Sequence, residues 1–359
     1  MERSAGESTA NTELKKTSAL MSQEQIDEEM ANEAEAFASH ESIWESNWGE
    51  TCGFFTDTTS LSSMQFTHCG PAGCISHRYC GSTPETLQVF SIKLSRIAEG
   101  LAWPLSVYGV IAVRDTADHN RNILFSCTRS EAQELKQEDS SLRLIGPPRA
   151  IVFTDMVNIE IQLKVKGPTK SQDKALISRV SDYGGGSVGV STIHIDNCLC
   201  TLELCLQRVH DTVQATILSV QVVNSGSWPF EYGGRVTCSS ASRETVITDS
   251  GVTRAINPSS SQNVLIESKD GAMLKGPDGH IYLPRQVVSV EIEGVLDIAI
   301  EAYSKSGDIG AQGRICLEPH FCNITRDKFA IADVEVMITI AWSLVPTSKR
   351  EIVRHGGFD

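Results

Sequence analysis

The residues best placed to do chemistry are an arginine and two aspartates at the end of an apolar run. Arg114 and Asp115 follow the stretch from Val107 to Val113, and Asp118 and Asn122 continue a polar loop. Guanidinium and carboxylate groups on such a loop would grip a ligand or partner through charge-assisted hydrogen bonds. The bland alternative is that they hold the loop itself, through an Asx turn and local hydrogen bonds. With Arg149, they make the candidate binding set Arg114, Asp115, Asp118, Asn122 and Arg149. No Ser/His/Asp or Cys/His relay can be assembled, so no catalytic residue, cofactor or metal ligand is assigned.

Other chemical patterns weigh less. Gly184 to Gly189 reads both GxGxxG and, from Gly185, GxSxG. Either pattern needs a helix to follow, and Val190 to Ile193 continues as strand, so a surface loop is expected. Cys52, His68, Cys69, Cys74, His77 and Cys80 concentrate near one another, but their spacing does not fit the paired ligands of zinc. Cys198 and Cys200 share a face with Leu202 and Leu204 and read as core, and Cys316, His320 and Cys322 form an equally weak group. Glu160 and Glu291 suggest paired carboxylates, yet alternation puts each on the polar face of its strand, where solvated residues are expected.

The elements that must position these residues are strands. Val157 to Lys166 alternates strictly, as does Val334 to Leu344; Val288 to Glu301 alternates over a length that calls for a bend at Gly294. Before residue 86 the pattern differs. Residues 1–21 lack apolar periodicity and read as disordered, whereas Ser22 and Gln25 can form a capping box ahead of Ile26, Met30, Ala34 and Phe37 on one helical face. The expected fold is therefore all-β: two tandem sandwich-like modules of antiparallel strands behind an acidic arm (1–42) that is disordered and then forms one short helix. A Cys/His-containing lead-in (43–86), module 1 (87–209), module 2 (210–347) and a basic tail (348–359) complete the organisation.

The two modules look like an internal duplication. Trp103-Pro104 with Gly109 returns as Trp228-Pro229 with Gly234; Leu144, Gly146, Pro147 and Ile151 return as Leu274, Gly276, Pro277 and Ile281. Glu160 would then match Glu291, and Leu202-Glu203-Leu204 would match Val334-Glu335-Val336, with the offset drifting from 125 to 132 residues as loops accept insertions.

Charge and length bound the function. The 359 residues carry a formal charge of -14, and residues 1–50 hold 12 acidic against 3 basic side chains. Such a surface disfavours nucleic acid and anionic membrane as partners and leaves a protein partner for the arm. No apolar run approaches the ~18 residues of a membrane span, and the start has no secretory h-region, so an intracellular, cytoplasmic location is expected, with reduced thiols rather than disulfides. The oligomeric state is not legible.

Asp57-Thr58-Thr59, Met64-Gln65-Phe66-Thr67-His68, the run from Pro104 to Asp115, the block from Leu144 to Arg149, and Ala341-Trp342-Ser343 resemble the plant domain family of unknown function DUF6598. The resemblance spans about residues 43 to 345. It implies a stress or defence setting, because that domain is sometimes fused to ribosome-inactivating N-glycosidases. It supplies no catalytic or ligand residues. The reading is a non-catalytic binding or regulatory module; the alternatives are a hydrolase with a dispersed site or an N-glycosidase-associated protein.

Overall fold

The structure, a computed structural model, describes residues 21–61, 82–185, 189–223, 227–241, 246–249, 252–255, 262–269 and 271–348. The expected disorder of residues 1–20, the His68 to Cys80 group, the centre of the glycine loop and the basic tail beyond Ser348 lie outside these residues.

The N-terminal capping box forms as expected. The Ser22 hydroxyl accepts from the Gln25 amide while the Gln25 side chain accepts from the Ser22 amide. Helix α1 (Gln23–Cys52) then runs through the expected end of the arm into the lead-in, a correction to the short helix, and stops at Gly53, whose φ is 95°. Its extra length has a packing reason. Phe37 and Trp44 are buried seven residues apart, with Met30, Glu33 and His40 half-buried on the same face, so the continuous inward stripe needs a sheet beneath it. Ala34 faces solvent instead.

Beyond the helix the chain is built of antiparallel strands. The first set is β1 (Thr86–Ile97), β2 (Leu105–Arg114), β3 (Asn122–Cys127), β4 (Gln133–Leu135), β5 (Ile151–Val152), β6 (Val157–Val165), β7 (Lys174–Tyr183), β8 (Val190–Asp196) and β9 (Cys200–Val209). The second is β10 (Thr212–Val222), β11 (Gly234–Ala241), β12 (Val246–Asp249), β13 (Val252–Ala255), β14 (Asn263–Ser268), β15 (His280–Ile281), β16 (Val287–Glu291), β17 (Val295–Tyr303), β18 (Ile309–Leu317), β19 (Asn323–Ile331) and β20 (Val334–Ser343).

Each set makes two facing sheets, and in the second β12 and β13 pair with each other apart from these. In the first the sheets run β5-β1-β9-β8 and β3-β2-β6-β7; in the second, β15-β10-β20-β19 and β14-β11-β17-β18, with β16 also pairing β10. Apolar faces close on two separate cores. One extends from Leu87 to Leu206 and the other from Val213 to Leu344. Loss of apolar surface to water drives each, and alternation decides which side chains take part.

Register places several of the sequence-matched residues differently in the two halves. Gly109 and Gly234 have like surroundings. A Cβ on Gly109 would lie 2.0 Å from the Gln162 carbonyl oxygen, and one on Gly234 would lie 2.5 Å from that of Glu301, so both admit a neighbouring strand too close for any side chain. With those glycines aligned, Glu160 stands opposite Ala112, while the residue opposite Thr237 is Ala299. Glu291 lies elsewhere, paired with Thr212, and Ile281 pairs with Val220, whereas Ile151 pairs with Leu87. The stretch expected as one bent strand is two. The chain turns at Gly294, whose amide donates to the Glu291 carbonyl, and passes from one sheet to the other.

The halves meet through reciprocal glutamines. The Ser289 amide donates to Gln88 Oε1 at 2.9 Å, and the Ala150 amide donates to Gln214 Oε1 at 2.7 Å. Gln88 and Gln214 each lie two residues after the first threonine of β1 and β10, so each half offers the other the same acceptor. All four residues are buried.

Replacing Gln88 or Gln214 with alanine leaves one buried amide without an acceptor. Each variant is expected to lose about 1–3 kcal/mol of stability in urea unfolding, and by similar amounts.

Candidate functional site

The five candidate residues come together at one end of the first sandwich, where the loop between β2 and β3 folds back under α1. Arg149 is the centre. Its Nη1 and Nη2 grip the Asp115 carboxylate side by side at 2.6 and 2.7 Å, Nη2 also donates to Asp118 Oδ1 at 2.9 Å, Nε donates to Thr59 Oγ1 at 3.0 Å, and Nη1 to the Ala150 carbonyl at 3.0 Å. All five N–H donors are therefore engaged. The carboxylates are similarly filled. Asp115 accepts from the amides of Ala117 and Val152, and Asp118 from the Asn120 amide and the Thr59 hydroxyl. Asn122 donates from Nδ2 to the Arg149 carbonyl at 3.0 Å.

A second knot lies beside the first. Arg114 donates from Nε to Glu160 Oε1, from Nη1 to the His119 carbonyl at 2.8 Å and from Nη2 to the Phe55 carbonyl at 2.6 Å. Arg121 Nε reaches Glu160 Oε2 at 2.8 Å, and His40 Nε2 lies 3.5 Å from Oε1. Aromatic rings close over these charges. The Arg114 guanidinium carbon is 4.4 Å from the Trp44 ring centre and 4.3 Å from that of Phe55, and Arg121 is 4.6 Å from Phe55. Trp44 donates to the His119 carbonyl at 3.0 Å, and Trp48 stacks on the His119 ring with centres 3.6 Å apart. His119 itself takes a left-handed φ of 59°.

Burial sets the protonation of these groups. Burial opposes charge on Arg149, but Asp115 and Asp118 more than offset it and raise its pKa. Burial would also raise Glu160; the neighbouring His40 imidazole, the hydrogen bond from Arg114 and the charges of Arg114 and Arg121 prevail and hold it below the usual carboxylate range. On Arg114 burial wins and lowers the pKa, and burial likewise lowers that of His119.

Glu160 is thus not a solvated strand residue. Its side of β6 is polar, as alternation says, but the residues of α1 and the segment after it cover that side, and only 2% of it is exposed. Thr59, His40, Arg121 and Phe55 complete the arrangement, and the sequence offered none of them as a site residue. The legible signal was the helix: an apolar face reaching Trp44 has to land on something. Chemically, the assembled charges saturate one another, and they join α1, the segment after it, the β2–β3 loop, β5 and β6.

The remaining patterns resolve simply. The glycine loop joins β7 to β8, strand to strand, with no helix after it. Among the described residues no three His, Cys, Asp or Glu side chains are grouped to hold a metal. Cys200 is buried at the head of β9 and Cys198 lies before it. Cys322 is disulfide-bonded, against the expectation of thiols throughout, with seven described cysteines free. No described helix is long and apolar enough to cross a membrane.

A cleft of about 610 Å³ runs between α1 and β7, walled by Glu29, Glu33, Asp182 and Arg179 among others. Glu33 accepts there from the Ser178 amide and Asn197 Nδ2.

Two antiparallel sandwiches with a docked helix and a buried ionic knot define the class of protein. The model of the family named Domain of unknown function (DUF6598) matches residues 86–340, and the chain belongs to that family. No curated protein matches it. Solved structures with some likeness include those of human GIVD cytosolic phospholipase A2. One, in complex with methyl gamma-linolenyl fluorophosphonate, is 9% identical with a TM-score of 0.23, and another, without that inhibitor in its description, is 8% identical with a TM-score of 0.22. Each match covers 74% of this chain and 33% of the phospholipase chain, so this chain spans about a third of that protein.

Arg149→Met strands two buried carboxylates, and a loss of about 3–5 kcal/mol in chemical unfolding is expected. Glu160→Gln tests the pH dependence. Because the folded pKa of Glu160 is depressed, its contribution is full above its unfolded value of about 4.3 and is lost as pH falls through the folded value. Stability measured from pH 6 downward should fall less steeply in the variant than in the native chain.

Proposed function

We propose that the protein is a non-catalytic binding module that receives a cationic protein segment on α1 and along the cleft beneath it. The observation that carries this reading is the helix's outward face. Glu24, Asp27, Glu28, Glu29, Glu35, Glu45 and Glu50 are all exposed, while Phe37 and Trp44 fasten the opposite face to the body. A docked helix presents its charges in fixed positions, which favours rapid, salt-sensitive capture of a basic partner. The mutual pairing of Arg114, Asp115, Asp118 and Arg149, with Asn122 donating to the Arg149 carbonyl, supports giving them a positioning role: they hold the loop on which α1 rests, so the binding expected of them is transferred to the surface they support. A plant stress or defence setting, the one associated with domains of this family fused to N-glycosidases, is part of the same reading.

The two halves are further inferred to descend from one duplicated module. The shared strand order, the paired roles of Gly109 and Gly234, and the reciprocal Gln88 and Gln214 support that origin.

Changing Glu24, Glu28, Glu35 and Glu45 to glutamine and Asp27 to asparagine removes five of the seven outer charges and spares the docking face. Cross-linking in cells, followed by mass spectrometry, should show basic partners lost from the variant while its melting temperature stays within about 2 °C of the native value. Identical partner sets would overturn the reading.

A further inference from the structure

Two buried arginines lead into short strands, one pairing with β1 and the other with β10. Arg149 stands two residues before β5 and Arg285 two residues before β16, and both side chains are buried. Their surroundings differ in one respect. Arg149 meets two carboxylates, whereas Arg285 meets none among the described residues. Its Nη1 donates to the Phe90 carbonyl at 3.3 Å, its Nη2 to the Val89 carbonyl, and its buried Nε has no partner. Carbonyl dipoles offset only part of the cost of taking a full charge from water, and burial pulls the Arg285 pKa down to about 10.

Arg285 forms part of the wall of a cleft of about 270 Å³ between the two halves. Phe90, Leu142, Leu144 and Pro284 give that cleft apolar walls, and Gln133, Ser91 and Ser141 contribute polar ones. Exposed Arg143 also lines it, as do Lys269 and Glu267, which pair with each other at 3.3 Å, and exposed Asp139.

We propose that this cleft binds a small organic monocarboxylate, whose apolar body lies along Phe90, Leu142 and Leu144 and whose carboxylate reaches the Arg285 guanidinium, closed off in this structure, on a side-chain movement of the cleft wall. The buried, uncompensated cation selects an anion. The apolar walls favour a carboxylate with a hydrocarbon body over a fully hydrated inorganic ion. Asp139 and Glu267 at the same cleft penalise a second negative charge, which disfavours phosphate. The volume sits at the small end of ligand sites, ~300 Å³, and suits a body the size of one ring or a short chain. The site goes beyond the binding surface proposed on α1 and lies on the other side of the first sandwich's strand order, against β1 and β14.

The test uses the purified full chain with benzoate and hexanoate as probes, benzamide as the neutral control and inorganic phosphate as the competing anion. Isothermal titration and thermal melting should show binding of at least one carboxylate, with benzamide and phosphate inert. Arg285→Met should weaken that binding by roughly tenfold or more, and Arg143→Glu, at an exposed position, by a smaller factor. Should Arg285→Met not fold, the ¹H–¹⁵N signal of Arg285 Nε in the native chain decides: a shift on carboxylate addition supports the site, and an unmoved signal overturns it. Silence from both carboxylates, a preference for phosphate, or carboxylate binding that survives Arg285→Met would each overturn the proposal.

Discussion

A guanidinium taken out of water has to be met by negative charge or by carbonyl dipoles aimed at it, and this requirement organises one end of the first sandwich. Arg149 can be buried only because Asp115 and Asp118 turn inward, and they turn inward only because the β2–β3 loop folds back instead of extending into solvent. The fold of that loop places Arg114 and Arg121 against Glu160, and those charges are then roofed by Trp44 and Phe55. Helix docking, loop conformation and strand capping are therefore one event energetically. Separating them would leave buried charges unpaired at every step.

The strands were the legible part of the chain, because a half-buried strand writes its orientation into every second residue. β6 follows its alternation closely, as does the first part of β20, whose residues from Ile338 to Ser343 are all buried. Alternation is silent about what covers the polar face, and for that reason Glu160 reads as solvated when α1 lies over it. The same limit explains the helix. Ser22 and Gln25 announce where it starts, but its length is set by Trp44 and Trp48 finding His119 across a gap of about seventy residues, a contact no local pattern encodes.

The candidate residues were found by type and spacing, and their partners were not. Arg114, Asp115, Asp118 and Arg149 stand out because charged residues at strand ends are conspicuous. Thr59 and Arg121 look ordinary, and their importance comes from a parallel bridge between Thr58 and Arg121 that brings distant segments side by side. The sequence matches share a structural role where glycine is obligatory, at Gly109 and Gly234. Glu160 and Glu291 align in sequence only, since their strand partners differ. A steric requirement leaves a firmer trace in sequence than a preference does.

The reciprocal glutamines carry a consequence for how the two halves stay together. Two free domains would need a broad apolar contact to overcome the entropy of meeting, and such a contact would be sticky whenever it opened. Here the short link from Val209 to Thr212 keeps the partners at a very high effective concentration. Tethering lets directional hydrogen bonds at the seam, beside the small apolar cluster of Ala117, Ala150, Val152 and Val345, set the angle between the sandwiches while the covalent chain supplies the persistence.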